Sequence, residues 1–327
     1  MPGTVDGRRA ALARARSGHT FEHTAQRLRT TTPEIAMPSQ LHASEAHPRP
    51  RDDQIDVHGL THVGRTRATN QDHFLICSLQ QQIVVHRTSL PDADELGRTR
   101  GRVAFLALVA DGAGGGVGGE EASRLAAASV IRYVTECVHA YYAAAADDEN
   151  FAQSLHSAAM RCHADLLARA TEEPDLRGMA TTLTLWISVW PRSYLLQVGD
   201  SRCYQLRGGE LRQISRDQTM AQELVDLGAL PRVEAANPRL VHTLSSAIGG
   251  PQTAPCVTRI QQEWGDAGLL CSDGLTRHVP QERIRERLLT MHSAREGCEG
   301  LLQDALDNGG SDNVTIVIGR ILPATAH

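Results

Sequence analysis

The segment that most narrows the choice of fold is VAFLALVA at 103–110. Eight apolar residues in a row carry no polar face. A surface helix or a half-exposed strand does not suit them, whereas a strand buried on both sides does. The run stops at Asp111-Gly112, and similar junctions recur. Asp200 lies in Val198-Gly199-Asp200-Ser201-Arg202, at the tip of an expected hairpin. Asp273 follows GLLCS and precedes Gly274, Asp312 precedes NVTIVIG, and Asp72 precedes HFLIC.

One Asp beside Gly is an ordinary turn former. Five at strand ends imply more, because the ends of neighbouring strands share an edge and their side chains can meet. Clustered carboxylates repel unless a cation neutralises them. A donor set made only of oxygen suits Mg²⁺ or Mn²⁺. The glycines after Asp111 leave room for carbonyls and water beside such an ion.

Around these junctions the chain reads as strand, two helices, several strands joined by tight turns, helix and strand. Helices are predicted over 120–146 and 150–171, and strands over 182–190, 193–198, 202–207, 266–271 and 313–321. Helix and loop are expected over 217–250, and a helical stretch over 281–307. Tight turns between consecutive strands imply antiparallel pairing. Residues 81–101 read as a loop inserted between two early strands. Residues 1–55 are rich in Thr, Pro, Ser and His and read as a weakly ordered arm, with at most a loose helix over 10–29. The globular domain is expected over 56–323, followed by a tail at 324–327.

Composition removes several chemistries. All 33 basic residues are Arg, which excludes a P-loop lysine, a kinase-type strand lysine and a Schiff base. The seven Cys include no C-x-x-C pair, so a thiolate zinc site is not expected and a reducing, cytoplasmic setting is. A net charge of −5 supplies no field for nucleic acid or an anionic membrane. Gly114 to Gly119 satisfies G-x-G-x-x-G after a strand. Two helices follow it, however, and the second strand that a dinucleotide-binding unit needs within about 30 residues does not arrive.

Six blocks in order resemble the metal-dependent protein phosphatases of the 2C type (the PPM family) in their bacterial form. They are Gly64 to Asp72 (GRTRATNQD), Val109 to Ser123 (VADGAGGGVGGEEAS), Gly178 to Thr182 (GMATT), Val198 to Arg202 (VGDSR), Ser272 to Thr276 (SDGLT) and Gly310 to Thr315 (GSDNVT). Arg216-Asp217-Gln218 and the stretch from Asn237-Pro238 to Gly249 resemble the flap segment and the residues after it. The likeness spans about 56–322. It implies an α+β fold, a four-layer αββα sandwich of two packed antiparallel sheets flanked by helices, with metal ions at one end. It also implies roles. Asp111 would bridge two Mg²⁺ or Mn²⁺ ions, the Gly112 carbonyl and, through water, Asp72 would serve the second, and Asp273 and Asp312 would complete the first. Asp200 would help hold a third, looser ion. Arg67 would grip the substrate phosphate with a bidentate fork that Lys lacks.

On this resemblance, catalysis rests on Arg67, Asp111 and Asp273. Water activated between two cations attacks the phosphorus of phosphoserine or phosphothreonine in proteins, with no covalent phosphoenzyme. The partners implied are phosphoproteins made by bacterial Ser/Thr kinases. The chain is expected to be a cytoplasmic monomer that binds neither nucleic acid nor membrane. The alternative is a catalytically weak relative that binds phosphoproteins as a scaffold.

Three positions depart from the family pattern. Ala113 stands where many members carry His, Gln71 where some carry Glu, and Arg277 where an acid often assists the third ion. A weak or absent third ion is therefore expected. Arg277 reads as a surface ion pair, with contact to an anionic substrate as the other reading. His58, His62 and His73 are irregularly spaced and read as ordinary surface or strand residues. Ser201 and Ser272 have no positioned His and read as bystanders. The flap, around 217–240, is expected to shape substrate choice.

Overall fold

Both faces of the 103–110 run are covered. The structure is a computed structural model that describes residues 49–82, 100–113, 117–143, 147–229 and 237–322. Its strands are β1 (Ile55–His62), β2 (Asp72–Gln82), β3 (Arg100–Ala113), β4 (Ala180–Thr181), β5 (Leu183–Val189), β6 (Arg192–Val198), β7 (Arg202–Arg207), β8 (Glu210–Gln213), β9 (Cys256–Gln261), β10 (Ala267–Cys271) and β11 (Val314–Ile321). Its helices are α1 (Val117–Ala143), α2 (Asp148–Glu172), α3 (Met220–Asp226), α4 (Pro238–Val241), α5 (Asp273–Thr276), α6 (Gln281–Thr290) and α7 (Ala294–Asp307).

One sheet runs in the order β2-β3-β5-β6-β9, with β4 paired to the end of β3. The other runs β1-β11-β10-β7-β8. All the strand pairs are antiparallel. Along β3, Leu106, Leu108 and Ala110 pack on α1 and α2, whereas Ala107 and Val109 face the opposite sheet and meet Leu195, Leu270 and Val317. The period of two thus sends alternate side chains into two different cores, which is why the segment has no polar residue. Leu155, Ala159, Cys162 and Leu166 form the matching stripe on α2. On the other side, Ile284 and Leu288 of α6 and Cys298, Leu301 and Ala305 of α7 cover Leu269, Cys271, Ile316 and Ile318. The outcome is the expected four-layer αββα sandwich.

The details differ in three places. The predicted helical stretch over 281–307 is two helices. Met291 is extended, and the Ser293 hydroxyl caps α7 by accepting from Glu296 N at 3.1 Å. Strands β8 and β9 lie at sheet edges and were not expected. Strand β1 begins at Ile55, and Gln54 O accepts from Leu322 N at 2.8 Å. Of the loop expected over 81–101, residues 81–82 close β2 and 100–101 open β3, and 83–99 lie outside the described residues, as do 1–48 of the arm expected over 1–55, with its loose helix, and 323–327, which include the expected tail. No described helix is long and apolar enough to cross a membrane.

Candidate active site

Antiparallel pairing gathers the five aspartates at one end of the sandwich. Asp72 opens β2 directly opposite Asp111 near the close of β3. Asp111 continues the series Ala107, Val109 and so belongs to the face between the sheets. From the opposite sheet, Asp273 follows β10 and Asp312 precedes β11, neighbouring strands in antiparallel register. Asp200 sits in the turn from β6 to β7, where the chain passes between the sheets. Sheet ends separated by up to 240 residues of sequence therefore contribute to one site.

Small polar side chains hold the acids in place. Ser272 Oγ donates to Asp72 Oδ2 at 2.7 Å and Thr315 Oγ1 donates to the same oxygen at 2.8 Å. Asp72 Oδ1 is buried and, among the described residues, has no hydrogen-bond partner. The backbone of Asp111 is fixed by Thr182: its N–H donates to Thr182 Oγ1 at 2.9 Å, and its carbonyl accepts from Thr182 N at 2.9 Å. Asn313 organises the loop before β2. Its Oδ1 accepts from Gln71 N at 2.9 Å, and its Nδ2 donates to the carbonyls of Val63 and Thr69, each at 2.9 Å. That loop carries Arg67. Gly112 is demanded by packing as well as by any ligand, since a Cβ there would lie 2.2 Å from Gly119 O and 2.7 Å from Gln71 O.

The electrostatics are those of an acid cluster. Desolvation first, then the charges of Asp72, Asp273, Asp200 and Asp312, push the Asp111 carboxyl well above the ordinary carboxylate range. Burial does the same to Asp72, raised to about 6, and to Asp200, raised to about 7, with Asp273 adding to both. Asp273 is raised by burial against the opposing pull of Arg277. Among the described residues, no guanidinium pairs with Asp72, Asp111 or Asp200. Asp312 has two. Arg67 grips it in a fork, Nε to Oδ1 at 2.8 Å and a terminal nitrogen to Oδ2 at 2.8 Å. Arg277 reaches Asp312 Oδ2 at 2.9 Å and also pairs with Asp273. Among the described residues, no group of three or more His, Cys, Asp or Glu side chains stands ready to hold a metal ion.

The donor chemistry nevertheless fits a hard cation. All the candidate donors are oxygens, and among the described residues three of the carboxyls have no ion-pair partner and one buried carboxylate oxygen is unsatisfied. A divalent charge would remove the mutual repulsion that raises these groups. His62 and His73 are engaged away from the acids, whereas His242 lines the cleft and adds to the electrostatic pull on Asp273. His62 Nδ1 accepts from Gly64 N at 2.9 Å, and His73 Nδ1 lies 2.9 Å from Ser123 Oγ. Ser201 Oγ is engaged with Thr182 Oγ1 at 2.7 Å. Ser272 is a finding beyond the sequence pattern, because it bonds Asp72 instead of standing by. The signal for Ser272 and Thr315 was their place, since Ser272 stands between an apolar run and Asp273, and Thr315 lies three residues after Asp312 at the start of the last apolar run.

A cleft of about 660 Å³ opens over the cluster. Arg67, Asp111, Asp200, Asp273, Arg277 and Asp312 form its floor, and Met220 and the 242–247 segment form one wall. The flap thus borders the cleft through Met220. Its base is tied down by Arg202, which donates to Asp217 Oδ2 at 2.6 Å, and by Gln218, which accepts from Gly199 N at 2.8 Å. Residues 230–236 of the flap lie outside the described residues.

Comparison with known proteins places the chain among known families. The family model described as Protein phosphatase 2C matches residues 84–308. The serine/threonine protein phosphatase PstP of Mycobacterium tuberculosis is 37% identical over 222 residues, which are 67% of this chain and 41% of that protein. This chain therefore spans about two fifths of the length of that relative. The serine/threonine phosphatase stp of Listeria monocytogenes is 30% identical over 214 residues, 65% of this chain and 83% of that one. Among solved structures, the catalytic domain of PstP in complex with two manganese ions has a TM-score of 0.62 and 32% identity, covering 82% of this chain and 98% of that one.

Proposed function

The chain belongs to the protein phosphatase 2C family, and from that premise we propose that it is a Mg²⁺- or Mn²⁺-dependent hydrolase of phosphoserine and phosphothreonine in proteins. The observation that carries this reading is the gathering of Asp72, Asp111, Asp200, Asp273 and Asp312 beneath one cleft, with Arg67 on its floor. Asp111, Asp72, Asp273, Asp312 and the Gly112 carbonyl would hold two ions, and Asp200 would help with a weaker third. Divalent cations bound there supply the Lewis acidity that brings water toward hydroxide near neutral pH.

The chain's own residues do the rest. Thr182 fixes the backbone of Asp111, and Ser272 and Thr315 fix Asp72, so the carboxylates keep their aim without rearranging during the reaction. Arg67 offers a planar fork matched to two phosphoryl oxygens. In the structure that fork grips Asp312, so a substrate phosphate has to compete with this carboxylate for it. Ala113 supplies no proton to the leaving group, which leaves that task to water. The cleft is far larger than a phosphate, which suits a phosphorylated side chain presented by a polypeptide. The partners we infer are proteins phosphorylated by bacterial Ser/Thr kinases. We place a monomeric chain in the cytoplasm, a location supported by seven free cysteines.

The test is hydrolysis of p-nitrophenyl phosphate and of a phosphothreonine peptide, with and without Mn²⁺, by the wild type and by Asp273→Asn. Metal-dependent turnover that falls at least about 100-fold in the variant is expected. A wild type that binds the phosphopeptide with no metal-dependent turnover would favour the scaffold reading instead.

A further inference from the structure

Arg277 lies one helical turn after Asp273. The one-turn helix α5 closes with the Arg277 N–H donating to Asp273 O at 2.9 Å. The i, i+4 spacing folds the guanidinium back over the Asp273 carboxylate. Its other terminal nitrogen crosses to Asp312 Oδ2 at 2.9 Å, although Asp312 is 35 residues further along the chain. One cation therefore bridges two acids from different strands. The bridge is largely sheltered: Arg277, Asp273 and Asp312 keep 28%, 14% and 15% of their side-chain surface exposed. This is not the isolated surface pair that spacing alone suggests.

We propose that Arg277 is an internal cation that competes with divalent ions for Asp273 and Asp312, and so sets how tightly this chain binds metal. The inference rests on the metal-binding reading of this site. Its physics is direct. Two carboxylates already joined by a positive charge present less net negative charge to an incoming ion. The ion must displace the guanidinium or accept a like charge at contact distance. The same bridge holds the two acids near one another. Arg67 adds a second guanidinium to Asp312 but does not reach Asp273, so among the described residues Arg277 alone spans both.

The experiment measures Mn²⁺ binding by calorimetry and by the electron paramagnetic resonance signal of free Mn²⁺, without reference to turnover. Wild type is compared with Arg277→Met, which keeps bulk and removes charge, and with Arg277→Lys, which keeps charge. Arg277→Gln serves as a second neutral variant should the methionine protein fold poorly. The neutral variants are expected to bind Mn²⁺ at least tenfold more tightly. In chelator they should also melt about 3 °C or more below wild type, since two sheltered carboxylates lose their shared partner. Arg277→Lys should stay within about threefold of wild-type affinity. Equal affinity of wild type and both neutral variants overturns the inference alone, as does a lysine variant that binds as tightly as the methionine one. Absence of Mn²⁺ binding by every protein overturns the metal site itself and the inference with it.

Discussion

Gly274 offers a sharp test of how the two sheets jointly build the site. It follows Asp273 in α5, and a Cβ added there would stand 1.9 Å from Asn313 O and 2.9 Å from Asn313 C. Carbon atoms do not approach that closely, so α5 or the start of β11 must retreat by about 1.1 Å to reach even a tight contact of 3.0 Å. Neither side yields easily. Asn313 is pinned by three hydrogen bonds to the loop at 63–71, and β11 is flanked by β1 and β10. The displacement therefore falls on the spacing of Asp273 and Asp312. Overpacking of this kind costs about 1–3 kcal/mol, or a melting point lowered by about 2–4 °C per kcal/mol for a domain of this size. A misplacement of about 1 Å in catalytic groups lowers the rate about 100-fold. Gly274→Ala should thus remain folded by circular dichroism, melt several degrees early and lose about two orders of magnitude in Mn²⁺-dependent kcat/KM. Gly268→Ala on β10 is the control. Its Cβ would meet nothing nearer than 3.9 Å, and it should match wild type. A Gly274→Ala protein within threefold of wild-type kcat/KM refutes the close apposition of α5 and β11.

Three further outcomes are expected. Asp111→Asn removes the acid most crowded by like charges, so in chelator its melting point should rise by an amount worth about 1–2 kcal/mol while the Mn²⁺-induced stabilisation and turnover disappear; differential scanning calorimetry with and without Mn²⁺ reads both. Arg67→Lys keeps a charge but not a fork, and steady-state kinetics on a phosphothreonine peptide should show KM raised about tenfold or more. Asp304 is held at about 2, first by its bonds to Arg287 and then, against partial burial, by Arg283. Because its folded pKa is depressed, its stabilisation is complete above the unfolded value near 4 and fades as pH falls toward 2. Urea unfolding should find Asp304→Asn less stable than wild type by about 1–2 kcal/mol at pH 7 after solvent screening, with roughly half that gap at pH 3. A gap that does not change with pH would assign the loss to packing.

How much was legible in the sequence depends on which forces are local. The buried run at 103–110 announced a strand, because unbroken apolarity over eight residues has few other uses, and the αββα layering gave each of its faces a core. Edge strands β8 and β9 were not legible. Glu210–Gln213 buries only Leu211, and Cys256–Gln261 only Ile260, so neither carries an alternation strong enough to stand out. The break between α6 and α7 did leave a mark: Ser293-Ala294-Arg295-Glu296 has the spacing of a capping box, and Glu296 does bond back, to His292 N at 2.8 Å. The aspartates were legible as a set because each stands beside one end of a strand. Their partners were not, for a reason that applies to charged side chains in general. Arginine is long and flexible, and its partner is chosen by tertiary proximity. The Asp273–Arg277 contact could be read from an i, i+4 spacing once α5 is known to be helical, but the reach to Asp312 depends on β10 and β11 being neighbours. Arg67 makes the same point from the other side. The family resemblance assigns its fork to a substrate, whereas the fold gives that fork a carboxylate already in place, so any anion that enters the cleft meets a guanidinium with a prior bond to break. On the proposed reading, phosphate affinity and metal affinity would be linked through Asp312, because Arg67 and Arg277 both hold this carboxylate and its neutralisation would weaken both pairs.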